Sequence, residues 1–552
     1  MNRWTLLGVN LRRHWPAITV GTALMLLAAA ASLAPPLVIR DIIDGAIARR
    51  DAAWLSKLVL VLAGLLAVSA GVGLTAEWVF LTASQKALHA IRRVVFSHVL
   101  ALPVEYLERT QTGYLTARMS EVSSLGVLFN SGTFRIAVSL FQFAGAAVIL
   151  LRMNPRLTLL VFAFLPLYYL ATRFLAVRYR RASKAYLQRY GVMSGQLQET
   201  FQGMSEVKNL GVEDKRAKEA THLSDEVARA ATSQGRVGIL GSGLLSLVTG
   251  LITVGVLYLS GRSIIAGTFT LGGYMAFSAY VGQLLGPFHY VMSFAYGLQP
   301  ALAALDRVAE FLREGTEPER DEAKADPGRI QRIEFRDVSF AYPSRPDRDV
   351  LRGVQFAVGR PGVLRIAGAN GTGKSTLVRL LLGYNTGYRG QILVNGRELR
   401  ELNILALRRR MGIVSQEPFL FDGTVRENLE LACDGKSGLL QSGSFDSGLE
   451  DGLIGRLIDH LPQGLETLVG EGGGRLSGGQ RQTVAILRAF VRGSDVVVLD
   501  EVTAHLDPEV KGIVREASRS LFADRLCIII TPRRAPLDPG QVEVVLGRSR
   551  AE

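Results

Sequence analysis

Cysteine is nearly missing. Cys433 and Cys527 are the only two, far apart and in no metal-ligand spacing, so a disulfide framework, a zinc ribbon and an iron–sulfur cluster all lack ligands, and the composition suits a reducing interior. Charge is also sparse: Asp, Glu, Lys and Arg make up 20 % of 552 residues, whereas 48 % are hydrophobic. With a mean hydropathy of +0.22 the chain is too apolar for an ordinary soluble protein, and the same apolar content argues against disorder over most of its length. Acidic residues are the scarcer sign, 49 against 63 Lys and Arg, for a net charge of +14. In a membrane-embedded chain such an excess gathers in cytoplasmic loops, so no nucleic-acid partner is expected.

What the sequence has instead is long apolar runs. Ala17 to Ile39 is a 23-residue stretch without a charge, enough at about 1.5 Å per residue to cross the hydrocarbon of a bilayer. Similar runs follow at Leu58 to Ala76, Ile136 to Leu151, Leu157 to Thr172, Val237 to Gly261 and Leu271 to Leu298, six in all. Two have only 16 residues, but the turn Arg152 to Arg156 between them reads as the tip of an antiparallel hairpin; a buried helix pair of a soluble protein is the other reading of these two. The leading run is too long for a cleaved signal peptide, carries Pro35 and Pro36, and leads straight into further spans. Connections alternate short and long, which places the long ones and both termini on one side. That side holds about 21 Lys and Arg before residue 310 against about seven opposite, the pattern of a cytoplasmic face. Trp4, Leu7, Leu11 and Trp15 recur at helical spacing beside Arg12 and Arg13, as in a short helix lying in the interface; a flexible terminus is the alternative. The long connections, 77–135 and 173–236, keep helical periodicity with mixed charge, so helices are expected to continue into water. Thr112-Gly113, and Val207-Lys208 with Gly211, break that pattern and are expected to turn each pair back.

From Glu314 to Arg329 the sequence turns charged, with Gly315, Pro318 and Pro327, and reads as a solvated linker. The expected organisation is a membrane domain over 1–313, a linker over 314–329 and a second domain over 330–552. Strand-like Arg332 to Phe340 and Gly362 to Ala367 lead into Gly368-Ala369-Asn370-Gly371-Thr372-Gly373-Lys374-Ser375-Thr376 and then an apolar helical run. Glycines at this spacing let backbone N–H groups converge on phosphate oxygens, Lys374 brings a point charge to the β and γ phosphates, and Ser375 offers a hydroxyl to Mg2+. Val496 to Asp500-Glu501 is an apolar run closed by two carboxylates, as expected of a buried parallel strand delivering acids to the sheet's carboxyl edge. One acid can hold Mg2+ while the next polarises the attacking water.

Leu476-Ser477-Gly478-Gly479-Gln480, about 20 residues before Asp500, resembles the signature of ATP-binding cassette transporters. Physically it is a helix N-terminus able to aim Ser477 and backbone N–H groups at a phosphate. The likeness spans nearly the whole chain and points to the exporter class: an all-α transmembrane domain of six helices fused to an α/β P-loop NTPase domain. It implies ATP and Mg2+ as ligands, and a dimer in which each ATP lies between the phosphate loop of one chain and the signature of the other. By the same likeness, Tyr342 would stack on adenine, Gln416 would sense Mg2+ and the membrane domain, and Asp507 would end the loop crossing to the partner. Glu501, Gln416 and Lys374 are then the expected catalytic residues. Ser375, Gln416 and Asp500 are the expected metal ligands. The segments around Thr112 to Tyr114 and Val207 to Gly211 lie near the implied coupling helices.

The chain departs from the family after Thr531. Where such transporters place a switch histidine it has Pro532, with no side-chain donor and no backbone N–H. Hydrolysis is therefore expected to be slow while binding and closure survive. His505 stands where the family has a small residue, with surface placement the expectation. Only 20 residues follow Pro532, so the closing hairpin and terminal helix are expected to be shortened or absent. These losses favour a heterodimer with another half-transporter over a homodimer. The expected activity is ATP-driven export of an amphipathic or hydrophobic small molecule, lipid or peptide across the plasma (inner) membrane, with both termini cytoplasmic. A regulatory or structural subunit with little hydrolysis, and an importer on the same fold, are the alternatives. Tyr274, Phe277, Tyr280, Phe288, Tyr290, Phe294 and Tyr296, with Gln283 and His289, mark the sixth run; helix packing is favoured over a substrate cavity for them.

Overall fold

A computed structural model describes the chain apart from residues 1–2, 111, 318–323, 433–452, 503–510, 513–515, 517–523, 532–540 and 547–552, and apart from the side chains at 3–7, 9–11, 13, 289–297 and 299. It divides into two compact units, Met1–Leu100 with Gln111–Glu314, and Ala101–Thr110 with Gly315–Glu552.

The helices up to residue 311 are α1 (Arg3–Ser32), α2 (Pro35–Asp41), α3 (Ala52–Leu100), α4 (Val104–Arg109, part of the second unit), α5 (Thr112–Ser124), α6 (Gly126–Phe129), α7 (Ser131–Met153), α8 (Pro155–Gln202), α9 (Met204–Asn209), α10 (Glu213–Ile265) and α11 (Leu271–Phe311). Among the described residues, five helical stretches are long and apolar enough to cross a membrane: His14–Ile47, Ala52–Leu100, Thr112–Met153, Pro155–Gln202 and Glu213–Ile265. The sixth apolar run lies in α11, where part of the side chains are outside the description. The helices α8 and α10 have 48 and 53 residues, roughly 70–80 Å at the α-helical rise and more than twice the hydrocarbon thickness, so each carries the chain well past an apolar span.

The first run is a span, as expected, but carries a break, and two local expectations need correction. In the span α1 stops at Ser32 and α2 begins at Pro35, because paired prolines lack N–H donors and cannot continue the ladder. The carbonyls left at the break are taken up by α11, Gln283 Nε2 donating to Ser32 O at 3.0 Å and Tyr280 Oη to Leu33 O. Phe277 and Tyr280 are fully buried, which makes them packing residues. The N-terminal segment is continuous with the first span as α1 and forms no separate interfacial helix. The first long connection turns at Pro103 and α4, ahead of Thr112-Gly113, and Thr112 starts the returning helix α5. The second turns where expected, through α9 with Gly211 at φ +61°. The short hairpin is tight: Asn154 caps α8, its Oδ1 accepting from the N–H groups of Arg156 and Leu157 at 3.2 Å, and Pro155 occupies the first helical position.

The second unit contains two sheets. One is antiparallel in the order β2-β1-β4-β5, from β1 (Arg332–Ala341), β2 (Asp349–Gly359), β4 (Arg389–Val394) and β5 (Arg397–Glu398). The other is parallel in the order β6-β7-β8-β3-β9, from β3 (Gly362–Ala367), β6 (Met411–Val414), β7 (Val496–Asp500), β8 (Leu526–Thr531) and β9 (Val542–Val545). The central strands are apolar on both faces, and one core, containing Phe335, Ile366, Leu377 and Val498, joins both sheets to the helix Lys374–Leu381. Among the described residues after Thr531, β9 pairs parallel with β3. The linker is not simply solvated: Glu317 receives Arg408 at 3.0 and 3.3 Å and donates its N–H to Ala101 O at 2.8 Å.

Candidate nucleotide site

Parallel order sends the carboxyl ends of β3 and β7 to one edge of the sheet, with β8 between them. From β3 the chain enters the loop Gly368–Gly373. Gly371 and Gly373 have φ of +78° and +95°, conformations that a side chain would strain. A Cβ at Gly373 would also stand 2.8 Å from Leu351 Cδ2. Asn370 lies in this glycine turn, and Thr372 closes it, its Oγ1 donating to Ala369 O at 2.8 Å. The helix Lys374–Leu381 follows directly.

Lys374 is buried, 6 % exposed, and its Nζ lies 2.8 Å from Gly368 O and 3.3 Å from Glu501 Oε1. Ser375 hydrogen-bonds Asp500. Burial first, and then the charge of Glu501, push the Asp500 carboxyl above its usual pKa. Glu501 itself takes φ +48°, a left-handed conformation that costs a non-glycine residue and is held by its N–H donating to Ile530 O at 3.2 Å. Tyr342 packs edge-on against Phe340, its Oη lies 3.1 Å from Thr376 Oγ1, and with Val350 and Gly371 it borders a cavity of about 340 Å3.

The signature forms a helix start. Ser477 is the N-cap of Gly478–Val491: its Oγ accepts from Gln480 N at 3.2 Å, while Gln480 Oε1 accepts from Ser477 N at 2.9 Å, a reciprocal capping box. Gly478 and Gly479 form the first turn. Among the described residues no recorded hydrogen bond or ion pair joins Ser477 to the phosphate loop of its own chain. Gln416 is exposed. Asp507, His505 and Pro532 lie outside the described residues.

The chain and its fold match known proteins. The ABC transporter transmembrane region matches residues 18–288 and the ABC transporter domain matches residues 351–504. An ATP-dependent lipid A-core flippase of Aromatoleum aromaticum is 30 % identical over 84 % of this chain and 76 % of its own length. The chain is an ABC transporter of the exporter class. A second lipid A-core flippase, from Chromobacterium violaceum, is 27 % identical over 97 % of this chain and 91 % of that protein. A cyclolysin secretion/processing ATP-binding protein of Bordetella pertussis is 30 % identical over 80 % of this chain and 61 % of that protein. A solved structure, a bacterial Atm1-family ABC exporter with ATP bound, shares the fold at a TM-score of 0.79, with 24 % identity over 97 % of this chain and 94 % of that one. This ABC exporter is thus an integral membrane protein that binds ATP and couples its hydrolysis to transport, with an all-helical membrane part and an α/β nucleotide-binding part, as the motifs imply.

Two residues that motif reading passes over support this exporter's site. Gln482 is 1 % exposed on the signature helix, and its Nε2 donates to Ser415 O at 3.2 Å and Gln416 O at 2.6 Å. It holds the backbone at Ser415 and Gln416. Arg379, one turn after Thr376, lies beside Tyr342 and pairs with Glu108 of α4. Nothing local marks either residue, since both act through tertiary contacts.

Proposed function

We propose that this exporter works as a dimer in the plasma (inner) membrane with its nucleotide-binding unit cytoplasmic, closing on two ATP molecules and moving an amphipathic substrate outward by alternating access. One observation carries the reading. Lys374, Ser375, Asp500 and Glu501 converge, whereas Ser477 spends its own-chain hydrogen bonds on a helix cap and touches none of them. A complete site therefore calls for the signature of a second copy or a homologous subunit.

In that site Lys374 and the backbone N–H groups of Gly371, Gly373 and Ser375 meet the phosphates, and the cavity beside Tyr342 takes the base. Ser477 of the partner subunit closes on the γ phosphate, and Glu501 orients water. The donor set suits Mg2+: a hydroxyl at Ser375, an amide at Gln416, and a carboxylate at Asp500, whose proton affinity is raised by burial and then by Glu501. When bound, Mg2+ neutralises charge developing on the β and γ oxygens. Pro532 weakens the site, because β8 ends at Thr531 between the phosphate loop and the acids, and the residue that follows brings no donor. That loss favours a heterodimer with one full-strength site. The flippase relatives favour a lipid-type cargo.

Turnover of ATP by the full-length protein in proteoliposomes tests the reading. Glu501→Gln is expected to lower it at least 100-fold. Absence of turnover, alone and with the subunit that co-purifies, would establish instead the regulatory subunit that Pro532 suggests.

A further inference from the structure

A cavity of about 230 Å3 lies inside the first unit where α1, α3 and α7 converge. Ser69, Gly73 and Glu77 recur every fourth residue and form one stripe of α3; Arg135 and Gln142 share a face of α7; Ser32 closes the cavity from α1. Small residues make the hollow, and a Cβ built at Gly73 meets nothing within 4 Å. At one end Arg135 Nη2 and Glu77 Oε1 form an ion pair at 2.5 Å, and Glu77 Oε2 accepts from Ser131 Oγ at 2.6 Å. At the other, about 10 Å along α7 by the helical rise, Gln142 Nε2 donates to Ser32 Oγ at 3.2 Å.

The position of these groups in the sequence is informative. Glu77 directly follows the apolar run Leu58 to Ala76, and Arg135 directly precedes Ile136 to Leu151. The charges therefore stand at the hydrocarbon boundary, and the Gln142 amide with the Ser32 hydroxyl within it. Both charged side chains keep more than a third of their surface open, 44 % for Glu77 and 37 % for Arg135.

Resting on the reading of a lipid-type cargo, we propose that this cavity binds the zwitterionic headgroup of a membrane amphiphile, its phosphate on Arg135 and its ammonium on Glu77. Volume and charge both select this class. The space is below the roughly 300–1,000 Å3 of sites that enclose a whole drug-sized ligand. A headgroup fits, and the acyl chains remain outside along apolar α3, where Leu74 and Trp78 are exposed. The pair sums to zero charge. A purely anionic headgroup would face the Glu77 carboxylate, and a purely cationic one the Arg135 guanidinium, each a like-charge contact in a medium that screens poorly. A zwitterion answers both and leaves the sum unchanged.

Native mass spectrometry of the full-length protein, exchanged into detergent with equal amounts of phosphatidylethanolamine, phosphatidylglycerol and a cationic ethylphosphatidylcholine, reads the retained lipid. The wild type is expected to keep the ethanolamine lipid about tenfold over either competitor. Arg135→Gln should turn the preference toward the cationic lipid and Glu77→Gln toward the anionic one. Gly73→Leu fills the hollow while leaving the ion pair in place, and should cut ethanolamine-lipid retention at least fivefold; it decides the matter if the charge variants fail to fold. A wild type without preference, or Gly73→Leu retaining lipid like the wild type, overturns the site. ATP-driven translocation in proteoliposomes separates this from the broader reading. Selective retention without translocation leaves the site standing and removes lipid export, whereas translocation without selective retention does the reverse.

Discussion

Ser477 has two separable duties, one visible in the fold and one inferred for catalysis, and a substitution series can divide them. Its Oγ accepts the N–H of Gln480 and starts the helix Gly478–Val491. Replacing such a cap by alanine costs typically about 1 kcal/mol, which multiplies local opening about fivefold. In Ser477→Ala the amides near Gln480 should therefore exchange with deuterium about fivefold faster, and ATP turnover should fall up to about 100-fold through loss of a donor aimed at the γ phosphate. Ser477→Asp is the informative member. Aspartate caps as well as serine and also suits the positive end of the helix, so exchange should return to the wild-type rate. A carboxylate about 4 Å from a phosphate oxygen, however, faces roughly 4 kcal/mol of repulsion at an effective dielectric of 20, so turnover should drop by about 10³. Hydrogen-exchange mass spectrometry and phosphate release on the same full-length preparation give both readouts. If the aspartate variant exchanges as fast as the alanine variant, the capping argument fails; if it hydrolyses ATP normally, Ser477 does not face phosphate.

Burial raises the Asp500 carboxyl, with Glu501 adding to the effect. An acid raised on folding contributes stability that is complete below its unfolded pKa, near 3.8, and lost as pH climbs through the folded value. Asp500→Asn should accordingly raise the melting temperature of the nucleotide-free protein at pH 7, with the gain shrinking as pH is lowered toward 4, and should weaken Mg-ATP stabilisation at every pH. A melting temperature unchanged at pH 7 would contradict the burial argument. Tyr280→Phe leaves the Leu33 carbonyl at the α1–α2 break without its donor, so a loss of about 1–3 kcal/mol is expected, read as lowered thermal stability in detergent. Pro532→His restores a side-chain donor after β8 and should speed ATP turnover at least tenfold; an unchanged rate would remove the impaired-switch argument.

Much of the nucleotide site was legible because its chemistry is local. A strand, a glycine turn and a helix in succession predict the loop Gly368–Gly373, and an apolar run ending in Asp500-Glu501 predicts β7. The capping box of Ser477 and Gln480 could be read from their three-residue spacing. What escaped depends on partners remote in the chain. The strand β2 carries two successive exposed residues, Arg352 and Gly353, and its pairing with β1 shifts register near Val338 and Phe340, so no clean alternation announces it. Hydropathy registered the first span as unbroken since Pro35 and Pro36 are apolar; its interruption is tolerated because Tyr280 and Gln283, some 250 positions later, supply the donors. Gln482 gives no signal at all, being a polar residue on a helix whose neighbours are Ser415 and Gln416 only in three dimensions.

The placement of Ala101–Thr110 within the second unit has a mechanical meaning. Glu108 pairs with Arg379, Arg379 lies beside Tyr342, and Tyr342 hydrogen-bonds Thr376 on the same helix that opens with Lys374. Asn385 reaches Glu105 at 3.3 Å, and the backbone of Ala101 is held by Glu317, which in turn holds Arg408. The segment between α3 and α5 is thus held at three points within the second unit, by Glu317, Arg379 and Asn385. The same segment is covalently continuous with α3, a helix of 49 residues. Long helices transmit a displacement because their backbone bonds are internal and stiff, whereas a solvated loop at this point would dissipate it.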